Sequence, residues 1–71
     1  MEKFIEKETE KAYLVNVKVE NVILDKEKII KVWIPKSAIT IKGHEIRIAS
    51  WIIQKNIIRQ DGDTFKGFVI A

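Results

Sequence analysis

Hydrophobic and polar positions alternate most clearly over residues 13–19, where Tyr13, Val15, Val17 and Val19 fall on one side and Leu14, Asn16 and Lys18 on the other. A period of two is the mark of a half-buried strand. Residues 29–34 predict a second strand, ended by Pro35 because proline has no N–H to give to a ladder. Ile30, Val32 and Ile34 share one face of it, and Ile29, Lys31 and Trp33 share the other. Apolar groups on both faces lead us to expect either a homodimer that buries the second face or a helix over 50–57 that covers it. Residues 21–28 read as a loop, with an apolar tether at Val22, Ile23 and Leu24 and a polar tip at 25–28.

Residues 39–48 predict a hairpin turning at Lys42-Gly43, which would set Ile41 opposite His44 and Ile39 opposite Ile46. Ile39, Ile41, Ile46 and Ile48 then share a face that a core would select. Ser37 is placed to cap a single helical turn after Pro35. Residues 49–58 support two readings. Ser50 as N-cap, with Ala49, Ile53 and Ile57 at helical spacing, gives a short helix; Ile52-Ile53 and Ile57-Ile58 would also suit two short strands. The helix is the expectation adopted. Asp61-Gly62 signals a turn, and residues 65–70 a last strand that closes the sheet. Residues 1–10 are charge-dense and form either a flexible arm or a first strand. The expected whole is one domain over 1–71, mainly β (β-rich α+β): a small bent SH3-like or OB-like barrel of about five strands with one short helix.

Composition reinforces the strands. Of 71 residues, 14 are Ile and 6 Val against two Leu, and β-branched side chains fit a pleated sheet better than a helix. There is no Cys, which excludes a disulfide scaffold, a thiol nucleophile and a thiolate-held zinc. No apolar run approaches the roughly 20 residues of a membrane span, and no signal-peptide core follows Met1. A soluble, cytoplasmic protein without membrane association is expected. The inventory also argues against an enzyme. His44 is the one histidine and sits beside a turn glycine, where an exposed hairpin residue is the ordinary reading. Ser37 and Ser50 lack a neighbouring base in sequence. The run Asp61-Gly62-Asp63-Thr64 lacks the further oxygen ligands and closing Glu of a calcium loop, and Gly43, Gly62 and Gly67 form no phosphate-binding pattern. No metal or cofactor is expected.

Charge changes the picture. The net charge is +3, but residues 1–20 carry four Lys against five Glu, a balance of −1. Residues 26–59 carry Lys26, Lys28, Lys31, Lys36, Lys42, Arg47, Lys55 and Arg59 against Glu27 and Glu45, a balance of +6. Both tryptophans lie in this basic stretch. Cations draw phosphates and rings stack bases, so the combination suits nucleic acid; lysine is also the ordinary solubilising residue, and tryptophan an ordinary packing one. Trp51, beside Ile52 and Ile53, is expected in the packing. Trp33 shares a strand face with Lys31, and Lys36 follows the proline that ends that strand. We therefore take Lys31, Trp33 and Lys36 as the candidate nucleic-acid surface, with Lys42, Arg47 and Lys55 as electrostatic support.

The segments Lys11-Ala12-Tyr13-Leu14-Val15, Val32-Trp33-Ile34-Pro35-Lys36-Ser37-Ala38-Ile39 and Ile48-Ala49-Ser50-Trp51-Ile52 resemble small proteins of phages and other mobile elements. The likeness spans roughly residues 8–56, and the middle segment is its most specific part. The chain departs from that pattern at Ala49-Ser50, where Pro-Glu is more usual, and beyond Ile58. The resemblance implies a mobile-element origin and a small β-rich module encoded near replication genes; it supplies no catalytic residue. Two functions follow as expectations. One is a nucleic-acid-binding accessory module, for single strands or indifferent to sequence. The other is a protein-binding module, an inhibitor or adaptor acting on a host or replication protein.

Overall fold

The computed structural model describes residues 4–70. Its centre is the ten-residue strand β2 (Ala12–Asn21), paired antiparallel along its whole length with β3 (Lys26–Pro35). The other edge of β2 is divided. The short β1 (Ile5–Glu8) takes Tyr13 to Val15, and β6 (Asp63–Phe68) takes Val17 to Asn21. Asn16 stands where they meet: its N–H donates to the Phe4 carbonyl (3.2 Å) and its carbonyl accepts from Val69 N–H (3.0 Å). Phe4 and Phe68 close the same junction, their ring centroids 4.7 Å apart.

The alternation in β2 has its expected consequence. Val15, Val17 and Val19 are fully buried, with Val32 and Ile34 beside them from β3. A second layer covers this face. It consists of a 3-10 turn (Lys36–Ala38), the hairpin β4 (Ile39–Lys42) and β5 (Glu45–Ile48), and a helical segment that starts as α1 (Ser50–Ile52) and continues as a π turn (Ile53–Ile57). Ile39, Ile52 and Ile57 bring this layer into the core. The π turn has a packing reason. Its i→i+5 bonding, with Ile58 N–H donating to the Ile53 carbonyl at 2.9 Å, widens the turn beyond the ~3.6 residues of an α-helix and so brings a residue five positions on nearer the same side. Ile52 and Ile57, five apart, can then both face inward.

The structure is mainly β with one short helical segment, but it is not a barrel. β6 returns to the stretch of β2 that the four-residue β1 leaves unpaired, and β4–β5 form a separate two-stranded sheet. The last strand runs Asp63–Phe68 and leaves the sheet open, where closure was expected. β2 and β3 extend through half of the expected loop, so only residues 22–25 connect them. The first-strand reading of residues 1–10 holds for Ile5–Glu8; residues 1–3 lie outside the described residues. The hairpin turns at Gly43-His44, one residue later than expected, and pairs Ile39 with Ile48 and Ile41 with Ile46. The four isoleucines still share a face, because the displaced turn keeps the parity of each strand. Gly43 has φ 61°, the positive first position of a two-residue type II′ turn. Ser37 and Ser50 lie inside their turns, after Pro35 and Ala49, and neither hydroxyl caps.

The helical segment packs on the core face of the sheet, so it does not cover Ile29 and Trp33, which stay exposed. Trp51 is exposed too (54%), against expectation. In a helical segment that turns Ile52 inward, the preceding residue points away.

Asn21 clasps one end of the sheet. Its Nδ2 donates to the Asp61 carbonyl and to Asp63 Oδ1, both at 2.9 Å, while its Oδ1 accepts from the Ile23 and Leu24 N–H groups at 3.0 and 2.8 Å. Asp63 Oδ2 accepts from the Arg59 and Gln60 N–H groups at 3.1 and 3.2 Å. The Asn21 hydrogen bond, followed by these backbone donors and Lys28, holds the Asp63 carboxyl below its ordinary pKa. Gly62 has φ 90°, and a Cβ there would lie 2.8 Å from Asn21 Oδ1 and 2.8 Å from Ile23 Cγ1.

Three outcomes are expected. Gly62→Ala should lower stability in urea denaturation by more than about 2 kcal/mol, since backbone strain and the clash with the clasp add. Gly43→Ala meets no atom within 4 Å and should cost about 1 kcal/mol, the backbone strain alone. Asp63 is depressed in the folded state, so its contribution is present above the unfolded carboxyl pKa of about 3.9 and is lost as pH falls through the lower folded value. Thermal unfolding from pH 6 down to pH 2 should show wild type losing stability below about pH 4 more steeply than Asp63→Asn.

Candidate nucleic-acid interface

The face of the sheet away from the core carries Leu14, Asn16, Lys18 and Glu20 from β2 and Glu27, Ile29, Lys31 and Trp33 from β3. Trp33 stands directly opposite Leu14, and Lys31 opposite Asn16. Strand alternation fixes this grouping. The indole is 45% exposed, on a strand that limits its reorientation.

Beside Trp33, at the outer edge of β3, the π turn comes close. Asn56 Nδ2 donates to the Trp33 carbonyl at 3.4 Å, and Arg59 Nε donates to the Asn56 carbonyl at 3.1 Å. Between strand and turn lies an open cleft of about 310 Å³ lined by Lys31, Val32, Trp33, Lys55, Asn56 and Arg59. Three cations and an exposed indole line it, and no carboxylate does among the described residues. Lys31 is paired with Glu6 at 3.1 Å, with both side chains partly exposed, so the pair is screened and weak. Among the described residues Lys55 and Arg59 have no acidic partner within ion-pair distance. The arrangement offers a flat apolar platform with cations around it, which suits a base and its flanking phosphates.

The structure therefore unites three of the six expected residues, Lys31, Trp33 and Lys55. The other three lie elsewhere. Lys36 is bound to Glu8 and lies 5.0 Å from the Tyr13 ring centroid; the hydrogen bond to Glu8 holds its ammonium above its ordinary pKa. Its place just after Pro35 turns it toward the β1–β2 end, away from the cleft. Lys42 and Arg47 line a separate concavity of about 380 Å³ with Thr40 and Glu45 on the hairpin. Arg47 pairs there with Glu45 at 2.7 Å, and no aromatic residue joins them. Sequence reasoning missed Asn56 and Arg59 as site residues. The available signal was the spacing of Arg59 four positions after Lys55.

No protein-family model, curated protein or solved structure matches the chain. The candidate interface stands on its geometry.

One buried group on this face remains unsatisfied: Asn16 Nδ2 has no hydrogen-bond partner among the described residues. An unmade buried hydrogen bond costs about 1–3 kcal/mol. Asn16→Val removes the amide and places a β-branched residue in a central strand, so it should raise the melting temperature; an unchanged or lower value in calorimetry would show that the amide is satisfied in solution.

Proposed function

We propose that this protein is a small non-enzymatic nucleic-acid-binding accessory module, encoded by a phage or mobile element and acting in the cytoplasm, that holds single strands through the cleft beside Trp33. The observation that carries this reading is an exposed indole on a sheet face, flanked by Lys31, Lys55 and Arg59 with no carboxylate among the described residues of the lining. A strand-borne ring keeps its orientation, so a base stacks at small entropic cost, and the cations add a salt-dependent term as counterions leave the phosphates. An open cleft with a single platform favours an unpaired base over a duplex, whose bases are already stacked.

A protein-binding module is the second reading, and one observation favours it. Val22, Ile23 and Leu24, at the tip of the β2–β3 connection, are all more than half exposed. Three adjacent apolar side chains held outward suit an apolar partner, whose affinity would vary little with salt.

Fluorescence anisotropy with a labelled single-stranded oligonucleotide, titrated against salt, tests the proposal. Trp33→Ala should weaken binding by about 1–3 kcal/mol and leave the salt slope unchanged. Lys55→Ala and Arg59→Ala should each flatten the slope by about 0.7. Lys36→Ala, Lys42→Ala and Trp51→Ala should have little effect, since those residues lie outside the cleft. A folded wild type that binds no oligonucleotide at low salt overturns the reading in favour of the protein-binding module.

A further inference from the structure

The outer edge of β3 has its own geometry, independent of the cleft. The backbone groups of Asn16 point to Phe4 and Val69, away from β3. Lys31, opposite Asn16, is therefore in a non-hydrogen-bonded pair, and its own N–H and carbonyl point outward. Alternation gives the same orientation to Glu27, Ile29 and Trp33. The Trp33 carbonyl does point outward, since it accepts from Asn56. Asn56 closes the edge there, which leaves Glu27, Ile29 and Lys31 with outward backbone groups that no other described strand pairs. An edge of this length is a template for another strand.

We propose that this edge pairs antiparallel with the same edge of a second copy, about a two-fold axis at Ile29. In that register Ile29 faces Ile29, and Glu27 of each copy faces Lys31 of the other. All three facing pairs are hydrogen-bonded positions, so six backbone bonds form. Charge selects the register. Centring on Glu27, Lys28 or Lys31 sets like charges directly opposite, which is unfavourable. Centring on Ile30 sets Glu27 opposite Trp33 and Ile29 opposite Lys31, with no charge matched. The Ile29 register alone pairs both charges and buries the most exposed apolar side chain of β3 (63%) against its own copy. The pairing stops at Lys31, where the open edge also stops. Adjacent strands present the same face to the same side, so the two clefts would share one continuous sheet, their Trp33 residues about 27 Å apart along the strands.

Sedimentation equilibrium of the full chain at low salt, without nucleic acid, tests this. Wild type should sediment as a dimer. Glu27→Lys and Lys31→Glu should each weaken dimerisation about tenfold or more, because each reversal acts twice across the two-fold axis. The combined swap should recover the dimer to within about threefold of wild type. In one chain Glu27 pairs with Lys18 and Lys31 with Glu6; the swap leaves both of those contacts mismatched, so recovery reports on the contact between copies. Ile29→Pro removes an outward N–H that β2 does not use and should give a folded monomer by circular dichroism and sedimentation. A wild type that remains monomeric into the millimolar range overturns the proposal. So does a dimer indifferent to both single reversals, which would use another surface, or a combined swap no tighter than the single variants.

Discussion

The structure depends on β2 being paired on both edges along its length. Ten residues of extended chain present about twenty backbone polar groups, and a buried strand must satisfy nearly all of them. β3 satisfies one edge outright. The other is shared between β1, four residues long and bulged between Ile5 and Lys7, and β6, which arrives from the far end of the chain. With both edges filled, Val15, Val17 and Val19 can be withdrawn completely from water, and the hairpin and helical segment have a flat apolar face to settle on. The same arrangement leaves the sheet open, because β6 is used to complete β2 and cannot also bridge to β3.

That openness shapes the surface. The core draws the second layer to one face; on the opposite face Leu14 and Asn16 are still buried, while Trp33 and Ile29 stay in solvent. Among the described residues, the outer edge of β3 is met at Trp33, by Asn56 of the π turn. There the strand supplies an indole and Lys31 while the turn supplies Lys55 and Arg59. Elsewhere Lys36 is drawn to Glu8 and Arg47 to Glu45, as Lys31 in the cleft is to Glu6. Within the cleft, Lys55 and Arg59 are the cations that no acidic side chain among the described residues occupies, and total charge does not reveal that.

The clasp around Asn21 shows a different economy. One buried amide ties the β2–β3 tip to the turn before β6, and Asp63 extends the tie to the end of the helical segment. Two segments about forty residues apart in sequence are thereby fixed to one another, at the end of β2 where β6 begins its pairing. The apolar side chains of Val22, Ile23 and Leu24 stay outward because the Asn21 Oδ1 holds the backbone of that tip.

The amino-acid sequence by itself determined the pieces whose pattern is local. Alternation over residues 13–19 and 30–34 determined which side chains of β2 and β3 enter the core and put Trp33 with Lys31 on the other face. The isoleucine spacing determined the inward face of the hairpin, which survived a one-residue shift of the turn because parity is all that a pleated strand requires. Ile52 and Ile57 were harder to read, since five-residue spacing is inward only in a π turn. Tertiary structure decided everything that needed two distant segments at once. It decided that β6 fills the edge β1 leaves vacant, that the helical segment lies on the core face and leaves Trp51 in water, and that Lys55 and Arg59 meet Trp33 while Lys36 turns to Glu8. The physical reason is that backbone hydrogen bonding between strands depends on which edges remain unpaired, and that vacancy is a property of the assembled sheet.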